Sequence, residues 1–181
     1  MINVEEAFYY KVLISCGIYD GYDEWLNWHL ENEEPLSDIV LELSFCGSDN
    51  DKTIRHLHNY CLEYGFDEKN VCEKLRLFLK DSYYSNKMSK EEVISNMYLF
   101  ANNVEETTFD LDLNIWGDMF YMEYYYSLAL DMEIFPEQLD SAFLKYLNDG
   151  TCIVSDSTFL STKPKKDSFY KKVLKFFNII K

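Results

Sequence analysis

Apolar residues recur along most of the chain at the spacing of an α-helix. In one segment Leu36, Ile39, Val40, Leu43 and Cys46 follow one another at steps of one, three or four residues, which places them on one helical face. The same pattern predicts helices over residues 3–16, 23–32, 36–46, 51–64, 67–83, 115–132 and 136–147, with one more from Ser89 and another from Asp167. The pattern therefore predicts an all-α bundle of about eight to nine helices.

Capping residues indicate where two of these helices begin. Asn3 is followed three residues later by Glu6, and Ser89 by Glu92. A short polar residue with Glu at the third following position is typical of a helix N-terminus. Gly17 stands where glycine commonly ends a helix, just after the first apolar repeat. We therefore expect the first helix to span 3–16 and the sixth to begin at Ser89.

Residues 103–114 differ from the helical segments, since apolar and acidic residues alternate in the later part. We predict one long acidic connection there. The helix over 115–132 is apolar on almost every side, and such a helix is usually buried all round. We therefore expect a single-domain bundle with this helix at its centre.

Charge is distributed unevenly along the 181 residues. The net charge is −15, from 17 basic and 32 acidic residues. Residues 163–181 contain seven lysines and one aspartate and carry +6, so residues 1–162 carry −21. We therefore divide the chain into an acidic helical domain, 1–162, and a basic amphipathic C-terminal helix, 163–181, which we expect to dock on the acidic domain. A body of this charge favours a basic protein partner over nucleic acid.

Three features predict a cytoplasmic protein without a membrane span. No stretch has about 18 uncharged apolar residues, which a spanning helix needs. The first six residues lack the basic region of a secretory signal. The five cysteines are widely spaced and include no Cys-x-x-Cys pair, as is typical of reduced thiols. The oligomeric state stays open at this point.

Two histidines and two cysteines are candidate metal ligands, His56, His58, Cys61 and Cys72. His56 and His58 are two residues apart, so on a helix they point in different directions. His58 and Cys61 share a face, but Cys72 would have to approach from the next helix and a fourth ligand is missing. We therefore predict no metal site and no cofactor.

Two Asp-x-Asp pairs, Asp49/Asp51 and Asp110/Asp112, resemble the carboxylate pairs that bind Mg²⁺ in hydrolases. Such pairs arise by chance in a chain with 32 acidic residues, and helix capping or a solvated loop explains them more simply. The chain also lacks a phosphate-binding glycine loop, Gly-x-Ser-x-Gly and His-Glu-x-x-His. We therefore predict that the protein is not an enzyme and keep a metal-dependent hydrolase as the alternative.

Two acidic stretches are the predicted binding surfaces for a basic partner. In the first stretch Asp38 and Glu42 are one helical turn apart, and like charges at this spacing destabilise a helix by a few tenths of a kcal/mol. A function would explain keeping them together, and a generally acidic surface is the alternative explanation. The first stretch contains Glu31, Glu33, Glu34, Asp38 and Glu42, and the second contains Glu105, Glu106, Asp110, Asp112 and Asp118.

The segment Trp28 to Cys46, WHLENEEPLSDIVLELSFC, followed by residues 49–57, resembles small helical immunity proteins of bacterial polymorphic-toxin and contact-dependent growth inhibition systems. In these proteins a tryptophan-bearing helix, a proline break and an Ile/Leu-x-Glu/Asp-Leu-Ser helix recur near this place. The resemblance covers about the first third of the chain and assigns no binding residue.

The resemblance implies a dedicated inhibitor that covers the active site of a cognate toxin domain, often a basic nuclease. The acidity of residues 1–162 agrees with such a partner, because opposite charges speed association and block a phosphate-binding groove. An acidic regulator that mimics DNA is a further alternative. It would compete for many DNA-binding proteins rather than for one partner.

Overall fold

A computed structural model describes residues 2–105, 113–132 and 136–150 of the chain. These residues form eight helices and no strand, which confirms the predicted all-α bundle. The helices are α1 Val4–Ser15, α2 Tyr22–Asn32, α3 Asp38–Ser44, α4 Asn50–Tyr64, α5 Glu68–Tyr84, α6 Lys90–Glu105, α7 Leu113–Met132 and α8 Pro136–Asp149. The predicted C-terminal helix and the domain division at residue 162 lie outside the described residues.

The two predicted helix starts are confirmed by their hydrogen bonds. The backbone N–H of Glu6 donates to Oδ1 of Asn3 at 3.0 Å. At the start of α6 the N–H of Ser89 donates to Oε2 of Glu92 at 2.7 Å, and the N–H of Glu92 donates to Oγ of Ser89 at 3.2 Å. This reciprocal pair satisfies two N–H groups that a helix start otherwise leaves without partners.

The predicted connection over 103–114 is wrong at both ends, since α6 continues to Glu105 and α7 begins at Leu113. Tertiary contacts stabilise the last turn of α6. The buried Lys11 donates from Nζ to the carbonyl of Asn103 at 3.1 Å, and Val104 is buried. Residues 106–112, the middle of the predicted connection, lie outside the described residues.

The core forms around α1 and α5. Ala7, Phe8, Val12 and Leu13 of α1 are fully buried, and α1 packs against α4, α5 and α6. Helix α5 packs against α1, α6, α7 and α8. Helix α7 packs mainly on α6 and exposes Tyr121, so the prediction that it occupies the centre is wrong. Tyrosine explains the difference, because its ring counts as apolar while its hydroxyl favours a wet edge.

Candidate protein-binding surface

A cleft of about 550 Å³ lies between α3 and α4. We call it the acidic cleft, because Asp38 and Glu42 of α3 and Glu63 of α4 line it and none of its lining residues is Lys or Arg. Three carboxylates facing one cleft raise the local negative potential and attract a cation. The cleft therefore favours a positively charged side chain or surface.

His56 stands on the α4 wall of the acidic cleft and contacts the opposite wall. Its Nδ1 lies 2.8 Å from Oε2 of Glu42, whose side chain stays 54% exposed. The pKa of the neighbouring Tyr64 phenol is raised, first by the charge of Glu63 and also by that of Asp38. Carboxylates from both helices therefore contribute to the negative potential at this cleft.

Large apolar side chains are exposed next to the acidic cleft. Phe45, at the C-terminal cap of α3, is 78% exposed, and Leu41 one turn before it is 38% exposed. Residues three or four apart on a helix are neighbours, so these two share one face with Asp38 and Glu42. On the preceding helix, Trp28 is 59% exposed. The exposed face of α3 therefore combines the carboxylates of the acidic cleft with two apolar side chains that are exposed in the described part of the chain.

The five acidic residues of the first predicted stretch have different surroundings. Glu31, Glu34, Asp38 and Glu42 are exposed. The side chain of Glu33 is only 9% exposed, and it accepts a hydrogen bond from Oγ of Ser37 at 2.9 Å. Its other carboxylate oxygen lies 2.6 Å from Nδ1 of His29. Glu33 therefore stabilises the junction between α2 and α3, and we remove it from the proposed contact surface.

The contacts of Glu33 also affect its titration. Burial alone would raise the pKa of this carboxyl, but hydrogen bonds, among them those from Ser37 and His29, lower the pKa to about 2. A pKa below the usual 4.5 means that the ionised form is stabilised in the folded state. This contribution to stability is present above pH 4.5 and is lost as the pH falls toward 2.

Glu33→Gln should lower the free energy of unfolding by about 1–2 kcal/mol at neutral pH, because it removes charged hydrogen bonds in a largely buried place. The difference from the parent protein should shrink as the pH falls from 4.5 toward 2, where Glu33 itself becomes protonated. Urea unfolding at several pH values measures both effects. Glu34→Gln is the control and should change stability by less than about 0.5 kcal/mol. Equal effects of the two variants would contradict this role of Glu33.

The second predicted acidic stretch is described only in part. Asp118 lies on α7 and is 6% exposed, so it does not reach the protein surface and is removed from the predicted contacts. Its charge acts inside the bundle, where it is one of the causes that raise the pKa of Tyr146, after burial and the neighbouring Cys72. Glu106, Asp110 and Asp112 lie outside the described residues, as does the side chain of Glu105.

Glu63, His56 and Phe45 were not predicted to belong to a binding surface. A helical stripe could have revealed the first two, since residues 56, 59, 60 and 63 recur at steps of one, three or four residues and all line the acidic cleft. Phe45 also had a signal, because it lies outside the apolar repeat of α3 and follows Leu41 by four residues, which places both on the exposed face of the helix.

The candidates for chemistry have structural roles in the described residues. Asp49 caps α4, since its Oδ1 accepts from the N–H of Lys52 at 3.0 Å. The thiols of Cys61 and Cys72 donate to different carbonyls, those of Val4 and Ile115. Within residues 2–105, 113–132 and 136–150 no three His, Cys, Asp or Glu side chains converge as metal ligands. Asp110 and Asp112 lie outside these ranges.

None of the helices in the described part of the chain is both long enough and apolar enough to cross a membrane. No family model matches the sequence, and no curated protein and no solved structure matches it.

Proposed function

We propose that this protein is an immunity protein, which binds a cognate bacterial toxin domain in the cytoplasm and covers its active site. The proposal rests on one structural observation. The acidic cleft, lined by Asp38, Glu42 and Glu63, adjoins the exposed Phe45 and Leu41 of the same helix. A surface of this kind can inhibit a toxin domain by its shape and charge, without catalytic residues of its own.

Charge selects the class of partner. A toxin domain that cleaves nucleic acid must bind phosphates and is therefore basic around its active site. The acidic cleft carries three carboxylates without a lining Lys or Arg, and Glu31 and Glu34 are exposed just before α3. Such complementarity speeds encounter and disfavours acidic partners. We therefore expect the cleft to face the phosphate-binding groove of a basic nuclease.

Apolar contact supplies the affinity that exposed charges alone do not. Interfaces depend on a few buried anchors, with aromatic residues enriched among them and a polar rim around them. Phe45 is the most exposed large apolar residue of the described chain. We expect Phe45 to enter an apolar pocket of the toxin domain while the carboxylates of the acidic cleft contact basic residues around that pocket.

Co-expression with the product of the neighbouring gene, where we expect a cognate toxin domain to be encoded, tests the proposal. The protein should restore growth of cells that express that domain, and a purified mixture should elute as one complex. Phe45→Ala should weaken the complex by about 30-fold without lowering thermal stability, because the ring is largely exposed in the monomer. A matched variant, Leu144→Ala, removes an apolar side chain, 38% exposed, from α8 and should leave binding unchanged.

The same experiment separates the competing functions. Full toxicity in the presence of the protein, together with no complex, would reject the immunity function. Binding to several unrelated DNA-binding proteins would favour the DNA mimic. Nuclease or phosphatase activity that requires a divalent cation and is lost in Asp49→Asn would favour the hydrolase.

A further inference from the structure

A second cleft, of about 690 Å³, lies between α1, the start of α2 and α5. None of the residues that line it belongs to the acidic cleft. Its volume is within the range of small-molecule sites in proteins, about 300–1,000 Å³. We call it the aromatic cleft, because Tyr9, Tyr10, Trp25 and Phe78 contribute four aromatic rings to its lining.

The rings of the aromatic cleft form a connected cluster. The centroids of Tyr10 and Trp25 are 4.7 Å apart, and those of Tyr9 and Tyr10 are 5.1 Å apart. Hydrogen bonds hold two of the rings by their polar edges. The hydroxyl of Tyr10 donates to the carbonyl of Gly21 at 3.0 Å, and Nε1 of Trp25 donates to Oε2 of Glu6 at 3.2 Å. The rings are therefore fixed in place before any ligand arrives.

Three carboxylates, Glu6, Asp20 and Asp81, line the same cleft. Two are contacted by lysines that also line it: Nζ of Lys74 lies 3.4 Å from Glu6, and Nζ of Lys87 lies 3.7 Å from Asp20. All four of these side chains are at least 40% exposed, so both pairs are weak and exchange readily with another cation.

Asp81 forms no ion pair within the described part of the chain, so the lining keeps a net charge of −1. The effect of these charges reaches the ring cluster. The pKa of the Tyr9 phenol is raised, first by burial, then by Tyr10, and also by the charges of Asp20 and Asp81. The negative potential therefore extends to the aromatic wall, where it disfavours anions.

We propose that the aromatic cleft binds an organic cation, an alkylammonium or guanidinium group that contacts the ring cluster and pairs with Asp81. Aromatic rings attract cations through their negative faces, and Trp and Tyr are the best rings for this contact. The alkyl part of such a ligand packs on the same rings. This site is independent of the proposed immunity function, since its residues and its ligand differ from those of the acidic cleft.

Titration of the full-length protein with pentylamine, agmatine and 1-pentanol tests the proposal. The indole N–H signal of Trp25, followed by nitrogen–proton NMR, should shift saturably with the two cations. We expect dissociation constants of roughly 1 mM, which correspond to a binding free energy of about 4 kcal/mol. The neutral alcohol has the same alkyl chain as pentylamine and should shift the signal at least about tenfold more weakly. A blocked Gly-Lys-Gly peptide distinguishes the sources. If the peptide binds more tightly than pentylamine, the ligand is a protein side chain. If the peptide binds more weakly, the ligand is a free amine.

Two matched variants locate the binding. Asp81→Asn removes the carboxylate of the cleft near the end of α5 and should raise the dissociation constants about tenfold. Asp149→Asn removes an exposed carboxylate at the end of α8, outside the cleft, and should leave them unchanged. Equal affinities in the two variants, an equal response to 1-pentanol, or no saturation up to about 50 mM would each overturn the proposal.

Discussion

Replacement of Asp38, Glu42 and Glu63 by lysine in one variant should weaken binding to the toxin domain by at least about 100-fold and remove protection of growth. The triple change turns three charges that face one cleft from negative to positive. Like charges placed opposite one another at an interface cost several kcal/mol, which exceeds the 2.7 kcal/mol of a 100-fold change. Surface plasmon resonance at several salt concentrations measures the effect, and most of the loss at low salt should be in the association rate.

The control carries the same change in net charge at a different place. Asp23, Glu24 and Asp149 are exposed and do not line the acidic cleft. Their joint replacement by lysine should reduce affinity by less than about fivefold at physiological salt, because charges farther away than about 8 Å are screened. If both triple variants lost affinity equally, net charge rather than the acidic cleft would determine binding. If neither lost it, the interface would lie elsewhere.

The parts of the fold that were predicted correctly depend on neighbours in sequence. The capping bonds of Asn3 and of Ser89 with Glu92 join residues three positions apart. Such contacts form wherever the local sequence permits them, so a sequence pattern suffices to find them. The apolar repeats of α3 to α6 are equally local. These features predicted the helices to within a few residues.

The errors occurred where distant residues determine the structure. The last turn of α6 depends on the bond from Lys11, which is 92 positions away from Asn103 in sequence. The same holds for the acidic residues, since Glu33 and Asp118 look like surface carboxylates in the sequence and are mostly buried in the bundle. Burial of a charged side chain requires partners to be present, and the partners of a residue become visible only with the fold.

The acidic cleft also combines residues that the sequence pattern identified with one residue that only the fold brings there. Asp38 and Glu42 were identified because they are one turn apart in an acidic stretch. Glu63 contributes to the same cleft from the next helix, and only the packing of α3 on α4 brings it there. A sequence pattern can therefore propose half of such a site, and the fold is needed to complete it.

Arg76→Leu should lower the free energy of unfolding by about 2–4 kcal/mol. Arg76 of α5 is 6% exposed, and its guanidinium donates to the carbonyl of Leu147 near the end of α8 and from Nε to Glu73 at 2.7 Å. Leucine keeps an apolar side chain at this position but leaves the buried carbonyl of Leu147 without its donor, which costs about 1–3 kcal/mol. The charged hydrogen bond to Glu73 is lost as well. Gly150 supports this placement, because a Cβ there would lie 3.3 Å from Nε of Arg76.

Hydrogen exchange separates a local role of Arg76 from a general one. Because the guanidinium connects α5 to α8, the amides of α8 should exchange faster in Arg76→Leu than in the parent protein. The exchange rates of the α1 amides should change only as far as the global free energy of unfolding changes. Arg55→Leu provides the matched control, since Arg55 is exposed on α4 and, among the described residues, donates a hydrogen bond only to the carbonyl of Asp51 in its own helix. That variant should change stability by less than about 0.5 kcal/mol. A loss in Arg76→Leu no larger than this would show that α8 is held by its buried side chains, Leu139, Phe143, Tyr146 and Leu147, without need of the guanidinium.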